Sequence, residues 1–545
     1  MSANNHSSTV SGRELCPGVA INPAAWTPAA RAVLTGGAVD FIAGLHRKLE
    51  RERQELLAAR QSNQARINAG ELPDYLERSS KAASTHWKIN PIPDDLMTRR
   101  VEITGPVNSA KMVINMLSRS AEGARADASM LDFEDSLKPS WANVMDGQLN
   151  VQGAARGDLR HEEKGKVYQL DPNDMAVVLV RPRGLHLNEA NLTVDGRPVS
   201  GGLLDLGLAM YHAGGLLVER GKTPAFYIPK TEHHLEARWW NRLFVAVQEA
   251  LGMPLGTIKA TFLMETLPAA FQMEEILYEA REHAVGLNVG RWDKIFSDIK
   301  VLRNHRDRVL ADRASITMQR PWMANYALRC VQISHAHGAF GIGGMSAFTP
   351  GRTAALRAEQ TAKVVADKQN EFNTGHDGCW VSHPYFIGPA MQAFTKQNQL
   401  DVLHAGRDKY PDLLPQAIGP KTMAGLRTNV RVGIGYMNGW KQDIGCVAWD
   451  NLMEDLATLE ISRVQTWQWL HYGVQLDDGP AVSRKLVQQV FQEELDKIAT
   501  EVRQEQGAQA DAAISGFERA AKDAEAVFTR EELSDFLTNT SELAT

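Results

Sequence analysis

Cysteine is scarce in this sequence. Cys16, Cys330, Cys379 and Cys446 are scattered over 545 positions without a CxxC pair. That excludes a disulfide framework or zinc ribbon and fits a reducing cytosol. Charge of one sign is also lacking. A net charge of −6 gives no reason to expect nucleic acid or an anionic membrane as partner, although local clusters can still bind a small polyanionic cofactor. No apolar run approaches the length of a membrane span. The opening MSANNHSSTV lacks the charged-then-apolar order of a signal peptide, and the closing ELAT lacks a Ser-Lys-Leu address. Gly433-Ile434-Gly435 with Gly439 misses the dinucleotide-binding spacing, and there is no P-loop and no repeat of fixed period. The expectation left standing is a cytoplasmic enzyme.

What is present has the balance of a globular chain, 43% apolar and 23% charged, too long for one core and so expected to form two or three domains. Residues 1–25 read as disordered or loosely packed. Residues 39–67 carry Phe41, Leu45, Leu49 and Leu56 at helical spacing, with the charge run 47–53 expected on a solvated face. Eight short apolar runs follow: VEITGP (101–106), SMLDFED (129–135), AVVLVRPR (176–183), AFYIPK (225–230), ATFLMET (260–266), AVGLNVG (284–290), AFGIGGM (339–345) and CWVSHP (379–384). Runs of this kind suit strands buried on both faces of a parallel sheet. Helical patterns between them (235–251, 268–282, 352–368) point to a closed (β/α)8 barrel of the TIM type. Past residue 425 the rhythm becomes helical, with helices expected over 451–472, 482–507, 511–527 and 530–538. Two of these have capping-box starts, Asn451 with Glu454 and Thr529 with Glu532. The expected layout is a helical segment over 1–95, an α/β barrel over 96–425 with a small insertion near 185–200, and a helical domain over 426–545.

Many of the runs end in a polar residue, and barrels of this class build active sites at the C-terminal ends of their strands. Glu265 and Asp293 stand at the ends of consecutive runs, so their carboxylates fall side by side at the rim, with Glu134 on another strand; such oxygens suit Mg²⁺. The alternative is that each caps a helix or pairs with an arginine. Arg181 and Arg183 flank Pro182 and present guanidinium groups able to bind a carboxylate or an oxyanion; an ion pair with Glu134 or Asp135 is the competing reading. Asp455 falls in the first turn of an expected helix outside the barrel, where favouring the helix dipole is the simpler account. His233, His234, His335, His337, Trp467 and Trp469 read as packing or surface residues.

The segments RRVEITGPV (99–107), LDFEDS (131–136), VRPRGLH (180–186), LMETLPA (263–269), GLNVGRWDKIFS (286–297), GIGGMSA (341–347) and NLMEDLATLEISR (451–463) resemble, in this order, the malate synthases of isoform A. The resemblance runs from about Leu34 to the last helices. Departures such as Leu185 after RPRG and MEDLATLE for MEDAATAE touch packing. The resemblance implies a barrel with an N-terminal helical clasp and a C-terminal helical plug. It further implies condensation of acetyl-CoA with glyoxylate to malate in the glyoxylate cycle, with Mg²⁺ held by Glu265 and Asp293 and Glu134 beside its waters. Arg181 is then the residue at the enolate oxygen, the backbone of Gly290, Arg291 and Trp292 lines the glyoxylate pocket, and Asp455 is the base. Lys111, Ser136 and Pro384 fall by loose alignment where relatives touch acetyl-CoA. The rival readings are a malyl-CoA or citryl-CoA lyase, and a catalytically inert CoA-binding scaffold. Oligomeric state stays open.

Overall fold

All eight apolar runs pair as strands. In the computed structural model, which describes residues 12–76 and 78–539, they are β1 (Val101–Pro106), β2 (Ala128–Asp132), β3 (Val177–Arg181), β4 (Ala225–Ile228), β5 (Lys259–Leu263), β6 (Ala284–Asn288), β7 (Phe340–Ser346) and β8 (Gly378–Val381). They close in chain order, every pairing parallel, into one barrel. Inward side chains such as Met130, Leu179, Tyr227, Leu263, Ile342 and Trp380 fill it, so it is a packed core and chemistry is left to the rim. Below them Arg99 bonds Glu102 (2.6 Å), Tyr227 Oη (2.7 Å) and Thr261 (2.8 Å).

The clasp helix α1 (Gly36–Asn68) starts at the N-cap Thr35 and packs against the barrel helix His234–Leu251. The expectation of a solvated charge run holds for one face only. Arg47, Lys48 and Arg51 are exposed, but Glu50 and Arg53 are buried, and Arg53 donates to Leu185 O (2.7 Å). Loose packing over residues 1–25 is corrected as far as the structure describes them; residues 1–11 lie outside the described residues. Arg13–Cys16 and Val19–Ile21 are strands that join Asn188–Val194 and Arg197–Ser200 in a four-stranded antiparallel sheet. Their partner lies some 170 positions away, so no local pattern announces them. The stretch Gly201–Glu219 is long and apolar enough to cross a membrane by length and composition, but it lies largely buried within the protein.

Among the described residues four α-helices build the plug: α2 (Met423–Trp440), α3 (Leu456–His471), α4 (Arg484–Gln506) and α5 (Ala510–Phe528). Helix α2 was not expected, and it carries glycines that helix propensity disfavours. Here they admit neighbours, Phe528 at Gly433 and the Trp449 ring at Gly435. The expected cap of α3 at Asn451 lies four residues too early, the N-cap being Asp455. Leu452–Glu454 pairs with Val447–Trp449 as a ribbon whose turn puts Asp450 and Asn451 at positive φ. The capping box that forms is Asp455 with Thr458, so Asp455 is the N-cap, not a first-turn residue. The helix expected over 530–538 does not form either. Thr529 ends α5, and Leu537 N–H donates to Glu460 (2.7 Å) while Phe536 stacks on His186; these contacts override local propensity. Trp469 packs at the plug core and bonds Leu310 O (2.9 Å).

At Gly445 the plug lies against the barrel backbone of Leu137 and Lys138. A Cβ there would lie 2.7 Å from Leu137 Cα, and backbone cannot step aside. Gly445→Ala is therefore expected to lift the plug, costing about 1–3 kcal/mol as overpacking does and lowering turnover. Thermal unfolding and thiol release test this; an unchanged melting temperature would show the approach to be dispensable.

Candidate active site

Each strand end contributes one part. At the end of β2, Asp132 accepts the N–H groups of Glu134 (2.8 Å) and Ser136 (2.9 Å), folding the chain into a turn that faces Glu134 and Asp135 into the barrel mouth. Arg181 closes β3. Its Nε and Nη2 grip Asp132 bidentately (2.7 and 2.5 Å), and its Nη1 lies 3.3 Å from Asp135. The guanidinium plane is thus fixed before any ligand arrives. Arg183 does not share this platform. It is buried behind the site, tied to Asp205 (2.8 Å) and Glu189 (2.9 Å).

Two residues past β4 sits Lys230, with a left-handed φ of 53° that costs a non-glycine residue of order 1–2 kcal/mol. Its N–H donates to Glu265 Oε1 (2.7 Å). Its ammonium lies 2.6 Å from Asp135, 2.8 Å from Asp293, 3.3 Å from Glu134 and 3.4 Å from Glu265. Glu265 follows β5, and Asp293 stands in the first turn of the helix Trp292–Val301 after β6. Gly290 is required between them, because a Cβ there would sit 2.8 Å from Glu265 Cβ. The Arg291 side chain donates to Ile316 O (2.9 Å), and the helix that carries Asp293 begins at Trp292. Helix N-termini favour anions.

The plug roofs this mouth. Leu456 N–H donates to Asp135 O (3.1 Å), docking the start of α3 on the β2 turn. Leu456, Ala457, Glu460, Phe536 and Thr538 line one pocket with Glu134, Asp135, Lys230 and Asp293. Asp455 is 9% exposed, its Oδ1 accepting Thr458 N–H (3.3 Å).

Six carboxyl groups (Asp132, Glu134, Asp135, Glu265, Asp293, Asp455) meet two cations there, Arg181 and Lys230, among the described residues. The shifts reflect this excess. Burial and the charge of Asp135 push Glu134 well up; burial raises Asp293 despite Lys230. Burial and Asp135 push Asp455 up to about 7. Asp135 moves the other way, since Lys230 and Arg181 outweigh its burial.

Ligand oxygens of Asp135, Glu265 and Asp293 all lie within 4.8 Å of one another. Glu265 Oε2 and Asp135 Oδ1 are buried and accept no hydrogen bond. Carboxylate oxygens, two unused buried acceptors and surplus negative charge fit a hard divalent cation. The third member is Asp135, which sequence reasoning did not select; Glu134 stands outside the triad.

Sequence reasoning also passed over Asp132 and Lys230. Their signal was a charged residue at a strand end, shared by many runs. None of the suggested acetyl-CoA residues lines the pocket under the plug, although Ser136 stands on the β2 turn beside Asp135. Lys111 is paired with Glu163 (2.6 Å) on an outlying hairpin. Ser136 spends its hydroxyl on Asp132, and Pro384 begins a turn after β8.

Family comparisons agree along the chain. "Malate synthase, N-terminal domain" matches residues 23–81, "Malate synthase, TIM barrel domain" residues 177–411 and "Malate synthase, C-terminal" residues 420–542. Malate synthase A of Escherichia coli K12 is 43% identical, covering 93% of this chain and 94% of that protein. Malate synthase of Myxococcus xanthus is 43% identical over 96% of this chain and 95% of its own. The glyoxysomal malate synthase of Gossypium hirsutum is 41% identical over 93% and 90%.

Proposed function

The chain belongs to the malate synthase family, and from that premise we propose that it condenses acetyl-CoA with glyoxylate and hydrolyses the resulting thioester to malate and CoA, as a cytoplasmic enzyme of the glyoxylate cycle. One observation carries the residue roles. A buried carboxylate, Asp455, caps a plug helix whose first N–H is bonded to Asp135, so a base from one domain is registered against the carboxylate triad of another.

Asp455 takes a proton from the acetyl methyl carbon. A buried carboxyl with a pKa near neutrality is a far better base than a solvated one. Arg181, held rigid by Asp132, donates to the enolate oxygen, and donors fixed in advance need no reorganisation as charge develops. The N-terminus at Trp292 receives the glyoxylate carboxylate. Glu265, Asp293 and Asp135 would hold Mg²⁺, which when bound supplies Lewis-acid polarisation of the aldehyde. Lys230 balances the carboxylates and orients Glu265 through its N–H. The roof over the mouth excludes water while the enolate exists.

The test is thiol release from acetyl-CoA, with and without glyoxylate and Mg²⁺. Release that needs all three supports the proposal; release without glyoxylate would make the chain a plain thioesterase and overturn it.

The base also sets a pH dependence. Asp455 must be ionised, so kcat/KM rises with pH through an apparent pKa at or below about 7, since a bound divalent cation favours the ionised form. A rate that falls as pH rises from 5 to 7 would count against Asp455.

A further inference from the structure

The clasp helix α1 reaches the active site through one side chain. Arg60 is nearly buried, and its Nη2 donates to Lys230 O at 2.7 Å. The same guanidinium grips Glu236 through Nε (2.6 Å) and Nη2 (2.7 Å), and Glu236 Oε2 also accepts Glu232 N–H (2.8 Å). Lys230 is thereby held on both sides of its left-handed backbone. Its N–H goes to Glu265, its C=O to Arg60, and its ammonium to four carboxylates. A left-handed lysine persists only where its surroundings over-determine it, and Arg60 is the constraint arriving from another domain. We propose that Arg60 is a positioning residue for the condensation, fixing Lys230 and through it Glu265, and that this is a task of the clasp beyond packing.

The inference rests on the role given to Lys230 above. Arg60 also lines a cavity of about 610 Å³ between α1 and the barrel, bordered by Arg66, Tyr75, Glu232 and Glu236. That opening admits a small cation. In Arg60→Ala, free guanidinium can therefore occupy the place of the lost side chain, between Glu236 and Lys230 O.

The experiment compares Arg60→Ala, Arg60→Lys, Lys230→Met and, as a control on the same cavity, Arg66→Ala. It reads kcat, KM for glyoxylate, melting temperature and amide exchange of residues 229–236. A displacement of reacting groups by about 1 Å costs up to about a hundredfold. Arg60→Ala is thus expected to lose about tenfold to a hundredfold in kcat with faster exchange in 229–236. Arg60→Lys should lose less, and Arg66→Ala should behave as the parent. Guanidinium chloride, far below unfolding concentrations, should restore kcat and slow exchange in Arg60→Ala but not revive Lys230→Met; sodium chloride and methylammonium should do neither. If Arg60→Ala folds poorly, rescue and Arg60→Lys carry the test. Near-parental kcat in a folded Arg60→Ala, or guanidinium restoring the melting temperature without kcat, would overturn the proposal. Full activity in Lys230→Met would instead overturn the reading of Lys230; an inactive Lys230→Met beside an active Arg60→Ala would sink the positioning role alone.

Discussion

Asp455→Asn is expected to lower malate formation by about 10² to 10⁴, equivalent to roughly 3–5 kcal/mol of barrier, without unfolding the plug. The structure makes this a clean substitution. Asp455 is the N-cap of α3, and Asn accepts the Thr458 N–H as well as Asp does. Alanine would add a capping loss of about 1 kcal/mol and confuse chemistry with stability. What Asn loses is the capacity to take a proton. Asp455 lies outside the carboxylate triad, so Mg²⁺–glyoxylate affinity by calorimetry should change by less than about tenfold, roughly 1.4 kcal/mol. The variant should also hydrolyse supplied malyl-CoA better than it condenses acetyl-CoA, because hydrolysis needs no enolate. Near-normal condensation would remove Asp455 from the mechanism. An equal loss of glyoxylate binding would return it to a purely structural cap.

Glu265→Gln and Asp293→Asn should each raise the Mg²⁺ requirement sharply, and the double variant should show no metal-stimulated turnover. Each replaces a charged oxygen by an amide that a small hard cation binds poorly. In Glu265→Gln the Oε1 atom can still accept Lys230 N–H, so the change falls on the unused Oε2 position. Loss of an outer partner of a metal ligand typically costs about 10–100-fold in affinity; loss of a ligand should exceed that. Titration of Mg²⁺ by calorimetry, beside thiol release at each metal concentration, measures it. Asp135→Asn separates the two acidic residues on the β2 turn: a loss like that of the other two marks Asp135 as part of the metal site, whereas an effect confined to Glu134→Gln would move the site toward Glu134. Unchanged metal dependence in both Glu265→Gln and Asp293→Asn would dismiss the ligand assignment.

Reading the sequence went furthest where physics is local. A strand buried on both faces must be apolar along its length, so all eight barrel strands were legible, and in a parallel α/β array the polar residues ending them mark the rim. Arg181, Glu265 and Asp293 were selected that way; the fit to a known family then supplied a role for Asp455, which spacing alone placed four residues past an expected cap at Asn451 rather than at the cap itself.

What the sequence by itself determined is therefore the barrel, the presence of helices before and after it, and the family. Only the tertiary structure decided the rest. The N-terminal strands needed a sheet partner about 170 residues away, the 530–538 segment gave up a helix for contacts to Glu460 and His186, and in α2 aromatic rings lie against Gly433 and Gly435. Lys230 and Asp135 are the sharpest case. A lysine after a strand reads as a solvated end, and its significance exists only once β2, β4, β5 and β6 bring four carboxylates within 3.4 Å of one ammonium. Charge interactions of that strength require burial and convergence, and both are properties of the closed barrel under its plug, not of any segment of the chain.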